Sequence, residues 1–203
     1  MKEPTCIIPN SIAGTIGGPN EGPLAVLKRC GGWSGSSELD ESSLPVVISG
    51  DPAPNFVMAE AHPRVISYYA SMLVNSSLRW IEKVDVFCGV GSSGRLIAFS
   101  LATLLPRRYV EVREDINVPG IFSLSHDIKN GENVVIVQGE ISEPITQVIE
   151  LVYSKGGNIG AVLSLYDPRT VRLNLDVVSI VRKDTSAQFS QNINRGIERL
   201  TEK

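Results

Sequence analysis

Val84-Asp85-Val86-Phe87-Cys88-Gly89-Val90-Gly91-Ser92-Ser93-Gly94-Arg95-Leu96-Ile97-Ala98 is the stretch that decides the fold class. Its apolar, β-branched first third predicts a strand covered on both faces. The glycines that follow permit positive φ and close backbone approach. The apolar run 96–105 predicts a helix, which Ser92 or Ser93 could cap. Unpaired N–H groups and the dipole at the start of such a helix favour an anion, most often phosphate. Gly89, Gly91, Ser92, Ser93 and Gly94 are therefore candidate phosphate- or pyrophosphate-binding residues. The plainer reading is a tight turn that needs glycine only for packing.

Outward from this turn the pattern alternates. Segments 46–48, 109–112, 134–137, 159–165 and 177–181 read as strands, whereas 64–80, 144–155 and 194–203 read as helices. Strands separated by helices of this length indicate βαβ units and a mainly parallel sheet. Ligands of such sheets bind beyond the carboxyl ends of the strands, here at 89–94, 111–120 and 138–146. Residues 1–45 differ in composition. Glycine, proline and serine are dense there, only 24–29 has a helical look, and Trp33 could anchor the segment. The reading is an irregular N-terminal arm or hood over residues 1–45, followed by one α/β domain over 46–203.

The 203 residues, 42% hydrophobic, suffice for one good core, and a net charge of −3 gives no basic footprint for nucleic acid. Arg107 and Arg108 follow Pro106 at a helix end, where cations are favoured anyway. Cys6, Cys30 and Cys88 have no disulfide or zinc spacing, so the expected setting is the reducing cytoplasm. No apolar run is long enough for a membrane span, and no signal-peptide core is present. His62 and His126 lack ligand-spaced partners, which leaves surface or capping roles. No Ser-His-Asp or Cys-His arrangement is evident, and no metal-ligand set. Glu140 and Glu143 read as solvated loop carboxylates.

Three families place a similar loop between a strand and a helix. A dinucleotide-binding fold would use Glu111, Glu114 or Asp115, but a strand and a long helix precede the loop here. Residues 86–98 also resemble the GxGxSxxxA loop of sugar-isomerase-type phosphosugar-binding domains, yet 138–144 lacks their SxSGxT. Over 46–181 the chain resembles the orotate phosphoribosyltransferases, of the type I phosphoribosyltransferase fold. Ser49-Gly50-Asp51-Pro52-Ala53-Pro54-Asn55-Phe56 is similar to their KSGRxSPYF segment. Val112-Arg113-Glu114-Asp115-Ile116-Asn117-Val118-Pro119-Gly120 is similar to VRKxxKxxG, and 129–137 to the strand entry before their signature loop. The resemblance implies a mainly parallel sheet flanked by helices, and a homodimer or pairing with an active homologue. Mg²⁺ would be needed only with bound phosphoribosyl pyrophosphate.

The departures cluster at charged positions. The acidic pair that holds ribose hydroxyls in the family is replaced by Gln138 and Gly139. Its Thr-Thr-Gly phosphate cradle is replaced by Ser142, Glu143 and Pro144, with Thr146 alone keeping a compatible hydroxyl. Proline removes a donor and glutamate adds negative charge. Glu114 and Asn117 stand where the two lysines belong, while Arg113 survives as a candidate pyrophosphate contact alongside Arg95. Ile48 replaces the lysine before Ser-Gly. Pro168 stands at the orotate-contacting arginine, with Arg169 one place on. The expectation is a homologue that kept the fold, lost the transferase reaction, and acts as a phosphate- or nucleotide-binding, regulatory or partner subunit with no catalytic residue. An active phosphoribosyltransferase with an altered site is the alternative.

Overall fold

The computed structural model describes residues 21–35, 41, 44–49 and 53–184. Seven strands form one sheet in the order β1-β7-β6-β5-β2-β3-β4, comprising β1 (Val46–Ile48), β2 (Val86–Val90), β3 (Arg108–Glu114), β4 (Phe122–Leu124), β5 (Asn133–Glu140), β6 (Asn158–Asp167) and β7 (Val177–Lys183). All pair in parallel except β4, which returns antiparallel along β3. The edge strand β4 is absent from the sequence reading, because Phe122-Ser123-Leu124 is short and lacks the β-branched run that marks the equally short β1.

Side-chain alternation divides the core in two. Phe87, Val135 and Val137 face one cluster with Leu73 of α2 (Pro63–Ser76) and Ile97 and Leu101 of α4 (Gly91–Leu104). Val86, Cys88, Val134 and Ile136 face the other, with Ile145, Val148 and Val152 of α5 (Pro144–Ser154). A central strand with helices on both faces has no polar side, which explains the unbroken apolar runs of β2 and β5. Buried Val65, Ile66, Tyr69, Ala70, Leu73 and Val74 place one face of α2 on this core. The helix predicted over 64–80 is interrupted at Ser77. Its φ is −129°, its hydroxyl donates to the Leu73 carbonyl, and α3 (Leu78–Ile81) starts afresh.

Of the segment read as an irregular arm, residues 23–29 form α1 (Pro23–Arg29), in which Leu24, Val26 and Leu27 are fully buried. The buried Tyr69 hydroxyl donates to the Pro23 carbonyl at 3.0 Å, and Trp33 is also buried. This described part is thus continuous with the main core. Residues 1–20, 36–40, 50–52 and the predicted helix 194–203 lie outside the described residues.

Candidate functional site

The glycine-rich turn lies mostly inside a helix. α4 begins at Gly91, with Val90 as its N-cap and no side-chain cap, so neither Ser92 nor Ser93 plays the predicted capping role. Gly91 has φ +67° and open space around it, so its backbone alone demands glycine. Gly94 is required for contact, because a Cβ there would lie 2.5 Å from the Val137 carbonyl oxygen. That close approach holds the N-terminus of α4 against the carboxyl end of β5. Packing therefore accounts for Gly94, and the plainer reading of the turn is partly right.

Both serine hydroxyls donate to one carboxylate, that of Glu60, which follows the 3₁₀ turn Phe56–Ala59. A negative group thus already sits at the first turn of α4. The dipole and donors there favour such a charge. Sequence reasoning missed Glu60, and no local pattern around it signals the contact.

Beside the turn, a cleft of about 630 Å³ is lined by Gly91, Arg95, Glu111, Arg113, Gln138 and Ser142, among others. Glu111 pairs with both arginines. Arg95 donates to its Oε1, and Arg113 Nη2 lies 3.3 Å from its Oε2. The Arg95 hydrogen bond holds the Glu111 carboxyl below its ordinary value, against a desolvation that raises it. The two guanidiniums expected to meet an anion are therefore already neutralised in part.

The second loop folds on itself. Gln138 is buried, and its Nε2 donates to Ser142 Oγ at 3.0 Å while its Oε1 has no donor. Gly139 packs on Ser93, with room for no side chain. Pro144 opens α5 without an N–H. The N–H groups of Ile145 and Thr146 donate to the carbonyls of Ser142 (3.0 Å) and Glu143 (3.2 Å). The Thr146 hydroxyl also donates to the Glu143 carbonyl, at 3.0 Å. Glu143 itself is exposed and fills no pocket. In the β3–β4 connection, Glu114 accepts the Gly120 N–H at 2.8 Å and the Asn117 N–H donates to Asp115 at 2.8 Å.

No protein-family profile and no curated protein sequence matches the chain. Solved structures do. An orotate phosphoribosyltransferase from Aeropyrum pernix superimposes with a TM-score of 0.61 at 20% identity, over 78% of this chain and 92% of that one. An adenine phosphoribosyltransferase from Thermoanaerobacter pseudethanolicus gives 0.54 at 19%, covering 66% of this chain and 89% of its own. The Saccharomyces cerevisiae adenine enzyme gives 0.55 at 22%, covering 64% and 87%. The fold is that of the type I phosphoribosyltransferases.

Within this phosphoribosyltransferase fold, the predicted residues fall in different places. Gly91, Arg113, Gln138 and Ser142 line the cleft, and Ser93 and Gly139 line a smaller pocket of about 290 Å³ under residues 53–57. Gly89 and Gly94 are buried framework. Thr146 and Glu143 are exposed. Arg169, one place beyond the position of the orotate-contacting arginine, lines neither pocket and pairs with Asp167 instead. Exposed His62 precedes α2 without a side-chain capping bond, and exposed His126 contacts the Ser125 hydroxyl.

Proposed function

We propose that the chain is a phosphoribosyltransferase-fold protein that has lost the orotate phosphoribosyltransferase reaction. It acts by binding, as a phosphate- or nucleotide-binding regulatory or partner subunit. The observation that carries this reading is the second loop. A phosphoribosyl 5′-phosphate needs converging N–H donors, and here one is missing at Pro144 while two are bonded to the chain's own carbonyls. An amide and a glycine stand where two carboxylates would grip the ribose. Gln138 offers no charge to hold Mg²⁺, and Glu111 is engaged by two arginines. No catalytic step through the metal follows from these residues.

Arg95, Arg113 and the unsatisfied Gln138 Oε1 favour the alternative of an active enzyme with a rebuilt site. Titration of phosphoribosyl pyrophosphate with Mg²⁺, with and without orotate, separates the two when run beside an orotidylate assay. The expected result is no turnover by a folded protein. Binding with turnover overturns the proposal.

We propose further that a second copy, or an active homologue, packs against the α4 face. Phe99 (60% exposed) and Leu96 leave apolar surface there. Light scattering at micromolar concentration should report a dimer, which Phe99→Glu dissociates. The partly exposed free thiol of Cys30 and the buried one of Cys88 fit the reducing cytoplasm.

A further inference from the structure

A further cavity, of about 830 Å³, shares no lining residue with the cleft or the pocket under 53–57. It opens because the crossover from β6 to β7, residues 168–176, contains no helix. A parallel crossover is ordinarily longer and helical, and a helix here would fill this volume.

One wall is apolar, formed by Val171, Leu173 and Leu175 with Val47 and Ile141. The other is cationic. Asp167, only 3% exposed, anchors it by drawing in two guanidiniums, Arg169 Nε at 3.4 Å and Arg182 Nε at 3.5 Å. Its Oδ1 also accepts the Arg169 N–H at 3.0 Å, holding that residue at φ +60°, an unusual conformation for a side chain of this size. One carboxylate thus faces two guanidiniums, and the buried Arg182 Nε has only this long ion-pair contact with Asp167 and no well-formed hydrogen bond. Burial, and then the Arg169 charge, pull the Arg182 guanidinium below its ordinary value against the opposing pull of Asp167, and an added anion would offset the repulsion between the two arginines. Arg172 and Lys183 also line the cavity and carry no ion pair among the described residues. Asp176 and Asp184 are the opposing carboxylates, and Asp176 is drawn to Arg79 at 3.0 Å.

We infer that this cavity is a second ligand site, which takes a phosphate monoester carried on an apolar, nucleoside-sized body. The arginines supply planar donors matched to phosphate oxygens. The valine and leucine wall covers the body, and the volume lies in the range of small-molecule sites.

The probe is adenosine 5′-monophosphate, followed by methyl and amide NMR and by calorimetry on the full chain. The ligand should shift the methyls of Val171, Leu173 and Leu175. Arg172→Gln with Lys183→Gln should weaken that binding about tenfold or more, the scale of a lost hydrogen bond to a charged group. Should the double variant lose its cooperative melt, Lys183→Glu alone gives the same comparison. Shifts confined to residues 89–95 place the ligand in the glycine-rich cleft and overturn this inference. Unchanged affinity in a folded double variant also overturns it. Inorganic phosphate binding as tightly as the nucleotide overturns the claim of an apolar body.

Discussion

Glu60→Gln removes a charge from the first turn of α4 while keeping the side chain's shape. In the wild-type protein an incoming phosphate oxygen must displace two hydroxyl-to-carboxylate bonds, from Ser92 and Ser93, and then sits near the displaced carboxylate. A hydrogen bond to a charged group is worth about 1.5–3 kcal/mol when sheltered. Glu60 is only partly buried and Ser92 is exposed, so screening lowers the combined cost to about 1–2 kcal/mol. Inorganic pyrophosphate should therefore bind the variant about five- to thirtyfold more tightly than the wild type. Calorimetry at one fixed salt concentration measures this directly. Ser92→Ala with Ser93→Ala, added to the variant, should erase the gain. Unchanged affinity would refute the idea that Glu60 competes for the anion site. Weaker binding would show instead that Glu60 helps to build the site.

Further outcomes are expected. Glu111→Gln releases Arg95 and Arg113, so pyrophosphate affinity should rise and become more salt-dependent, as titrations at two ionic strengths would record. The Glu111 carboxyl is depressed in the folded protein, so its stabilising contribution is complete above the unfolded value of roughly 4.3 and disappears as pH falls through the lower folded value. Thermal melts of Glu111→Gln should accordingly change less than wild type in that acidic window. Gly94→Ala forces a Cβ to 2.5 Å from the Val137 oxygen and should cost about 1–3 kcal/mol by urea unfolding. Gly91→Ala meets no atom within 4 Å and should cost only its left-handed backbone strain, about 1–2 kcal/mol. Cys88 is fully buried, and burial pushes its thiol up to about 12. At pH 8 a thiol reagent should leave it unmodified until the protein is unfolded, as peptide mass spectrometry would show.

The alternation of strands and helices was legible in the sequence because a sheet covered on both faces leaves long apolar runs, as in Val134–Val137 within β5. The chemistry that the second loop carries was legible too. Pro144 removes its N–H wherever the chain places it, and Glu143 brings its charge into any fold. Boundaries were less so. α4 starts at Gly91 rather than after the glycines, since its first turn is held by contact with β5 and not by a capping side chain. The break at Ser77 depends on a hydroxyl bonding back to Leu73, which competes with continued helix only in the folded chain.

The sequence by itself determined which residues carry charge, hydroxyls and backbone freedom. Only the tertiary structure decided how they are paired. Glu60 and Ser92 are 32 residues apart, and Arg79 and Asp176 are 97 apart. Such contacts have no periodic signature, because they arise where separate elements dock and not from the geometry of any one element. The same reason hid the cavity behind Asp167. Its arginines lie on β7 and on the β6–β7 crossover, and parallel strand pairing brings them to one buried carboxylate.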